Sequence, residues 1–465
     1  MPNDPTSEIA ARMRAADMPE SAIRTFAFHV DRFLSGDSGA LSRDQLIPVG
    51  SIADAGVPDG TGESDPHLLR RAAVIKLNGG LGTGMGLRRA KSLIEVRPGL
   101  SFLDLIVHQI LALRERFDTN LPLLLMNSFR TAEETADALA CYPELAQEGF
   151  PAGFLQHRVP KLLATNGSPV TWPAEPELEW CPPGHGDLYT ALVTSGVLDT
   201  LLAAGIEFAF VSNSDNLGAV LDPRLLAHMV ESGSDFMMEV ADRTPADRKG
   251  GHLCRLADGR LALRESAQCP PAERDEFQDI GRYRYFNTNN LWFSLPALAE
   301  LLDRHDGILP LATIVNRKHV DPRDADSPAV VQLETAMGAA ISLFDHATAI
   351  RVPRRRFSPV KNTDDLLAVR SDAYEVTPDG LVVLAEHRSS PPTVRLDPRF
   401  HKHLEDFERR FPAGPPSLDG CDRLTVEGDV TFGEGVVVEG DVSIRGGDSP
   451  SRIPDGAVLR SEHRA

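Results

Sequence analysis

The sequence predicts an α/β protein whose mixed, mostly parallel, twisted sheet carries helices on both faces and is followed by a β-helix. Three observations carry this expectation. Between Ala72 and about Leu367, short apolar runs alternate with amphipathic stretches. Five glycines, Gly79, Gly80, Gly82, Gly84 and Gly86, follow the first of those runs and precede Arg88, Arg89 and Lys91. From residue 424 the apolar pattern changes to a period of six.

Taken in order, residues 7–35 read as helix, with Ile9, Met13, Met18, Ile23, Phe26 and Phe28 recurring at loosely helical spacing. The Gly/Asp/Pro-rich passage VGSIADAGVPDGTGESDP then separates an N-terminal helical segment, 1–70, from a larger α/β domain over 71–370. In that domain AAVIKL, LPLLLMN, EFAFVS and DFMMEV are nearly continuously apolar, as strands covered on both faces should be. FLDLIVHQILALRERF and AEETADALA are helical patterns between them, so strand, crossover helix and strand repeat. A linker and β-helix domain occupies 371–465. One row of its apolar residues is Leu424, Val430, Val436 and Val442; the other is Val426, Phe432, Val438 and Ile444. An ordinary β-meander is the competing reading, and an open-ended stack is also a surface for self-association into a homo-oligomer.

Composition narrows the function. A chain of 465 residues with 42% hydrophobic and 25% charged content is ordinary for a globular protein of two or three domains. A formal net charge of −19 repels nucleic acid and anionic membranes, so an anionic substrate requires a local cluster of cations. The five cysteines are scattered, without C-x-x-C spacing, and read as thiols of a reducing cytoplasm rather than as a disulfide or zinc framework. No signal peptide or membrane span is expected.

The glycine loop lets backbone N–H groups approach an anion, and its basic residues supply opposite charge; it reads as a phosphate cradle. It has neither the Walker A Gly-Lys-Ser/Thr nor the G-x-G-x-x-G register, which removes the main support for ATPase and dehydrogenase readings. Five polar segments accompany it: Gln156, His157, Arg158 and Lys161; His185 and Asp187; Asn213, Asp215 and Asn216; Asn287, Asn289 and Asn290; and Arg354, Arg355, Arg356 with Lys361. Each has a bland alternative. Asp215 could be a turn residue or helix cap, His185 a donor within its own turn, the asparagines loop hydrogen bonding, and the three arginines a solvated face. Their co-occurrence with the glycine loop points to a sugar or alcohol and a polyphosphate, with a strand-end carboxylate suited to a hard divalent cation.

KLNGGLGTGMG with RAKSLIEV, PPGHGDLY, VSNSDN, FNTNNLW, QLETAMGAAISLF and PRRRFSPVKNTDDLL together resemble the eukaryotic-type UTP–glucose-1-phosphate uridylyltransferase family, also called UDP-glucose pyrophosphorylases. The resemblance runs from about residue 70 to the end. It implies a Rossmann-like sheet of the nucleotide-diphospho-sugar transferase type, a left-handed C-terminal β-helix, and UTP and glucose 1-phosphate as substrates. It implies that Leu77, Asn78, Gly79 and Gly80 hold the nucleotide, that Gln156 and Gly184 read the uracil, and that Met126 lines the base pocket. His185, Asn213 and Asn289 match positions at the glucose phosphate, and Ser214 accompanies them. Asp215 matches the magnesium (Mg2+) ligand, and Lys91 and Lys361 the catalytic lysines. The sequence departs from the usual family wording at Gly84, before Lys91, and at His157 and Val159.

The reaction so implied is attack of the glucose 1-phosphate oxygen on the α-phosphorus of UTP. Phosphate is largely ionised near neutrality, its second pKa being about 6, so no general base is needed. Catalysis then rests on positioning and charge neutralisation. Competing readings are a pyrophosphorylase for a UDP-sugar or UDP-N-acetylhexosamine, a glycosyltransferase, which usually presents two closely spaced aspartates, and a silent hexose-phosphate sensor.

Overall fold

The computed structural model describes residues 5–37, 39–55, 65–87, 89–447 and 449–464, excepting the side chains of 246 and 464. Part of the Gly/Asp/Pro-rich linker and Arg88 lie outside the described residues.

The apolar runs form the strands. In chain order they are β1 (Ala53–Asp54), β2 (Ala72–Asn78), β3 (Leu123–Asn127), β4 (Gly153–Leu155), β5 (Phe208–Asn213), β6 (Phe236–Asp242), β7 (Tyr285–Ser294) and β8 (Ala347–Arg351). They lie side by side as β1-β8-β6-β7-β5-β2-β3-β4. All neighbours are parallel except β7, which runs antiparallel between β5 and β6. The sheet is therefore mixed, as expected; it is mostly parallel along this path only, because the further strands Leu46–Pro48, His252–Leu256 and Leu261–Arg264 of the same sheet pair antiparallel. Val74, Ile75, Leu124, Leu125, Phe210 and Val211 are almost wholly buried, so both faces are covered. Each such side chain contributes roughly 1.5–3 kcal/mol on burial.

Helix α3 (Phe102–Phe117) covers one face. It starts at Ser101, whose hydroxyl accepts from Asp104 N–H while the Asp104 carboxylate accepts from Ser101 N–H. Leu105, Ile106 and Ile110 turn to the core that Val74 and Leu125 also line.

The N-terminal helical expectation needs one correction, because the stretch is two helices. These are α1 (Pro5–Ala15) and α2 (Glu20–Leu34), broken where Asp17 adopts φ 57° and Pro19 precedes the second helix. Ile9, Met13, Ile23 and Phe26 pack on Val159, Leu162, Val331 and Leu333.

The C-terminal segment stacks parallel strands in three ladders. The first joins β9 (Thr393–Leu396), β10 (Cys421–Glu427), β13 (Gly440–Arg445) and β16 (His463–Arg464); the second joins β11 (Val430–Phe432) to β14 (Ser451–Ile453); the third joins β12 (Val437–Val438) to β15 (Val458–Leu459). Parallel pairing replaces the meander alternative. The six-residue period marks successive strands along the chain, and stacking falls three periods later, Leu424 on Val442 and Val426 on Ile444. All eight residues of the two apolar rows are buried. Phe411 stacks on Phe432, and this stack shares one hydrophobic cluster with α3 and β2.

All five cysteines are free, and four are buried. Among the described residues no helix is long and apolar enough to cross a membrane.

Candidate active site

The carboxyl ends of β2, β3, β4 and β5 align, with Leu77 beside Asn213, Asn78 beside Asn127, and Asn127 beside Leu155. Open α/β sheets bind ligands at this edge. The glycine loop rises from β2, turns through Thr83–Met85 and returns where Lys91 N–H donates to Gly80 O at 3.2 Å. A Cβ on Gly79 would sit 2.5 Å from Gln156 Nε2, so glycine there admits the amide that follows β4. Cβ positions at Gly80 and Gly84 would meet nothing within 4 Å, which leaves that side of the loop open to a ligand.

The turn carrying Gly184 and His185 is shaped by close approach. Gly184 has φ 85°, and a Cβ there would lie 2.4 Å from Thr335 O. His185 Nδ1 accepts from Met337 N–H at 3.1 Å, which leaves Nε2 to carry the proton of the neutral ring. Burial draws this imidazole down to about 4, so it stays neutral near pH 7. Asp187 does not face the ligand edge in company with His185. It takes Nδ1 of His157 at 2.8 Å and His157 N–H at 2.6 Å, and His157 Nε2 meets Thr194 Oγ1 at 3.0 Å. That pair ties the Gln156 segment to the Gly184 turn.

Asp215 stands just beyond β5. Its Oδ2 is 2.7 Å from Lys91 Nζ, while its Oδ1 is buried and has no hydrogen-bond partner among the described residues. An anionic oxygen without a partner fits a hard divalent cation. Among the described residues no group of three or more His, Cys, Asp and Glu converges, so a cation held here would complete its shell with water and phosphate oxygens.

Lys361 reaches the same edge from the other side. Val360 N–H donates to Asp215 O at 3.1 Å, and the Lys361 ammonium lies 5.7 Å over the Phe357 ring. Asn289 sits in a bulge of β7 with φ 59°, where Glu239 alone opposes residues 288–290, and it exchanges hydrogen bonds with Asn287. Asn213 and Ser214 complete the β5 end, with Ser214 N–H bonded to Leu77 O at 3.2 Å.

Two residues fill structural roles besides. Asn78 donates to Asn127 Oδ1 and Thr135 Oγ1, so its amide holds the strand ends together. Met126 is 1% exposed and packs in the cluster of Ile75, Leu124 and Phe154, beneath the edge.

The solvated-face alternative fails at Arg356, while Arg354 and Arg355 are exposed. Arg356 is 8% exposed and grips Glu239, which is 0% exposed, through Nε at 2.7 Å and Nη2 at 2.6 Å. Arg354 makes a two-point contact with Asp247.

The structure adds residues the sequence did not single out. Lys76 lies within β2, buried, donating to Ser212 Oγ at 2.8 Å and Ala219 O at 2.6 Å; burial first, and Arg356 second, draw its ammonium down to about 7. Glu265 lies against Gly251, raised to about 7 by burial and opposed by the charge of Lys361. The only sequence signal for Lys76 is a charge inside an apolar run.

With this edge in view, the comparisons are decisive. The profile described as UTP–glucose-1-phosphate uridylyltransferase matches residues 29–439. The chain belongs to the UTP–glucose-1-phosphate uridylyltransferase family. It is 42% identical over 445 residues to the protein so named from Musa acuminata, covering 93% of this chain and 92% of that one. The Solanum tuberosum relative of the same name is 44% identical over 449 residues, covering 93% and 90%. Among solved structures, a mutant UDP-glucose pyrophosphorylase from Leishmania major in complex with UDP-glucose superposes with TM-score 0.93 at 45% identity, covering all of both chains. The Trypanosoma brucei structure superposes with TM-score 0.91 at 44% identity, covering 99% of each. Of the motifs seen in the sequence, KLNGG and VSNSDN leave adjacent strands at one sheet edge, FNTNNLW lies along β7, and QLET lies on a strand of a separate three-stranded sheet whose Thr335 packs against the Gly184 turn.

Proposed function

We propose that this uridylyltransferase-family chain makes UDP-glucose and pyrophosphate from UTP and glucose 1-phosphate, reversibly, by direct in-line attack at the α-phosphorus. The observation that carries the reading is the Lys91–Asp215 pair with its unpartnered Oδ1, set between the open glycine loop and the Lys361 segment. The family relatives carry the name of this activity, and the Leishmania major structure holds UDP-glucose.

In this reading the open loop at Gly80 and Gly84 offers backbone N–H groups to the triphosphate. Gln156 and Gly184 border the base, and Gln156 lies in the space that glycine at 79 leaves open. Lys91 turns its ammonium from Asp215 to the β- and γ-phosphates, and Lys361 neutralises charge gathering at the transferring phosphate. The neutral His185 presents Nε2–H, and Asn213 and Asn289 present amides, to the sugar phosphate. Asp215 is the residue that would hold Mg2+, which when bound supplies positive charge to phosphate oxygens. The ionised phosphate nucleophile needs no base, and no residue is acylated or phosphorylated along the way.

The C-terminal ladders we read as a left-handed β-helix whose open end serves homo-oligomer formation; the three parallel ladders support the first part. A cytoplasmic site of action accords with five unpaired thiols.

The test is pyrophosphate release by purified protein with UTP and a panel of sugar 1-phosphates. Glucose 1-phosphate should be turned over fastest, and EDTA should stop the reaction. Brisk turnover of another sugar phosphate beside none of glucose 1-phosphate, or indifference to EDTA, sinks the reading.

A further inference from the structure

Three site segments meet at one buried carboxylate that touches none of the reacting groups assigned above. Glu239 accepts from Arg356 Nε and Nη2, from Asn290 Nδ2 at 3.0 Å and from Trp292 Nε1 at 2.9 Å. Its backbone oxygen accepts from Thr288 Oγ1 at 2.7 Å. Arg356 passes the arrangement on: its carbonyl accepts from Asn216 Nδ2 at 3.1 Å and Asn290 Nδ2 at 3.2 Å, and its Nη2 donates to Val220 O at 2.9 Å. Asn216 Oδ1 in turn accepts from Ser358 N–H at 3.0 Å.

The chain positions explain why this matters. Asn216 follows Asp215, Asn290 follows Asn289, and Arg356 begins the turn that delivers Lys361. The pair therefore sits where the strand-end carboxylate, the bulge asparagine and the second lysine are tied to one another, and every oxygen of Glu239 is used. A buried pair is a poor source of net stability, since a well-packed apolar pair often serves as well or better. What it supplies is fixed relative geometry.

The geometry points to Glu239 and Arg356 as positioning residues for nucleotidyl transfer: they set Asp215, Asn289 and Lys361 in register without touching substrate. This rests on the uridylyl-transfer reading. The nucleotide cradle at Gly79, Gln156 and Gly184 is built on β2 and β4 and the Thr335 contact, with neither Glu239 nor Arg356 among the atoms that crowd Gly79 or Gly184. Disturbing the pair should accordingly lower kcat while leaving UTP affinity in place.

The experiment compares wild type, Arg356→Lys, and the double replacement Glu239→Leu with Arg356→Met. It measures kcat, the Kd of UTP by calorimetry, and thermal melting. Displacements of about 1 Å cost on the order of 100-fold in rate, so kcat should fall about 100-fold in the double variant, with a cooperative melt and UTP Kd within about threefold of wild type. Arg356→Lys keeps the charge but loses the two-point contact, and should also lose kcat with native melting. Near-native kcat in either variant overturns the proposal, as does a loss of UTP affinity matching the loss of kcat. If the double variant does not fold, Arg356→Lys decides alone, since its melting and kcat are read on the same sample. A wild type that releases no pyrophosphate overturns the transfer reading itself, and the positioning role with it; a wild type that turns over beside an equally active variant overturns the positioning role alone.

Discussion

Lys91 Nζ lies 2.7 Å from Asp215 Oδ2, and both side chains are largely shielded from solvent, 15% and 20% exposed. This contact joins the end of the glycine loop to the end of β5. Before substrate binds, a cation already occupies one oxygen of the carboxylate, and the other has no partner among the described residues. In the proposed reaction a bound triphosphate would compete for that ammonium, and its release would free the full carboxylate for a divalent cation.

Asp215→Asn keeps the shape and removes the charge. Losing one electrostatic group costs about 10²–10³-fold in rate, and the loss should appear in kcat. Steady-state kinetics and thermal melting on the same preparation check it: preserved kcat with a lowered melting temperature would reveal a turn cap instead.

Lys361→Ala should lower kcat by more than it weakens UTP binding, because charge developing at the transferring phosphate is met in the transition state. The ammonium is exposed and its ring contact with Phe357 is a minor one, so folding should be little affected. A UTP titration beside turnover separates the two effects; equal and small changes in both would remove Lys361 from the chemistry.

Gly79→Ala places a methyl group 2.5 Å from Gln156 Nε2. A flexible side chain can move, so stability should change little, while UTP affinity falls about 10-fold as one buried contact of roughly 1–1.5 kcal/mol is lost. Competition binding with UTP, CTP and TTP checks it. An unchanged UTP affinity would mean that Gln156 does not border the base.

Sheet and edge were legible because their signals are local. A continuous apolar run names a buried strand, glycines after it name an open loop, and Asp215 directly follows such a run. The six-residue rows likewise identified the terminal stack, although not that stacking skips three periods. What escaped notice is set by distance along the chain. Glu239 and Arg356 meet only after the sheet forms, and three adjacent arginines look the same in sequence whether they face water or a buried carboxylate. Lys76 is hidden in an apolar run, and nothing local in the sequence pairs Asp187 with His157, thirty positions away. The break between α1 and α2 turned on a left-handed Asp17, which apolar periodicity does not register.

Burial holds His29 and His185 near 4 and His252 near 3, all below the usual 6.5. As pH falls from 6.5 toward 4, the unfolded chain takes up protons that the native chain refuses, so these groups lower stability across that window and cost nothing above it. Glu265, raised to about 7, acts in the opposite sense between 4.5 and 7. His252 is stacked on Tyr283 at 3.9 Å and close to Phe277, so His252→Phe isolates one imidazole. The variant should lose about one proton from the pH slope, roughly 1.4 kcal/mol per pH unit, in denaturant midpoints between pH 6 and 4.5. An unchanged slope would show that His252 is protonated in the native state.

The central claim is that the phosphate oxygen of glucose 1-phosphate attacks the α-phosphorus of UTP directly. Following the label from UTP carrying radiophosphorus at the α position, with glucose 1-phosphate and Mg2+, tests it most directly. Label should be found only in UDP-glucose and in UTP remaining at equilibrium, the released pyrophosphate should be unlabelled, and none should stay on the protein after denaturation. Label recovered as UMP, in pyrophosphate, or covalently on the chain would contradict the account.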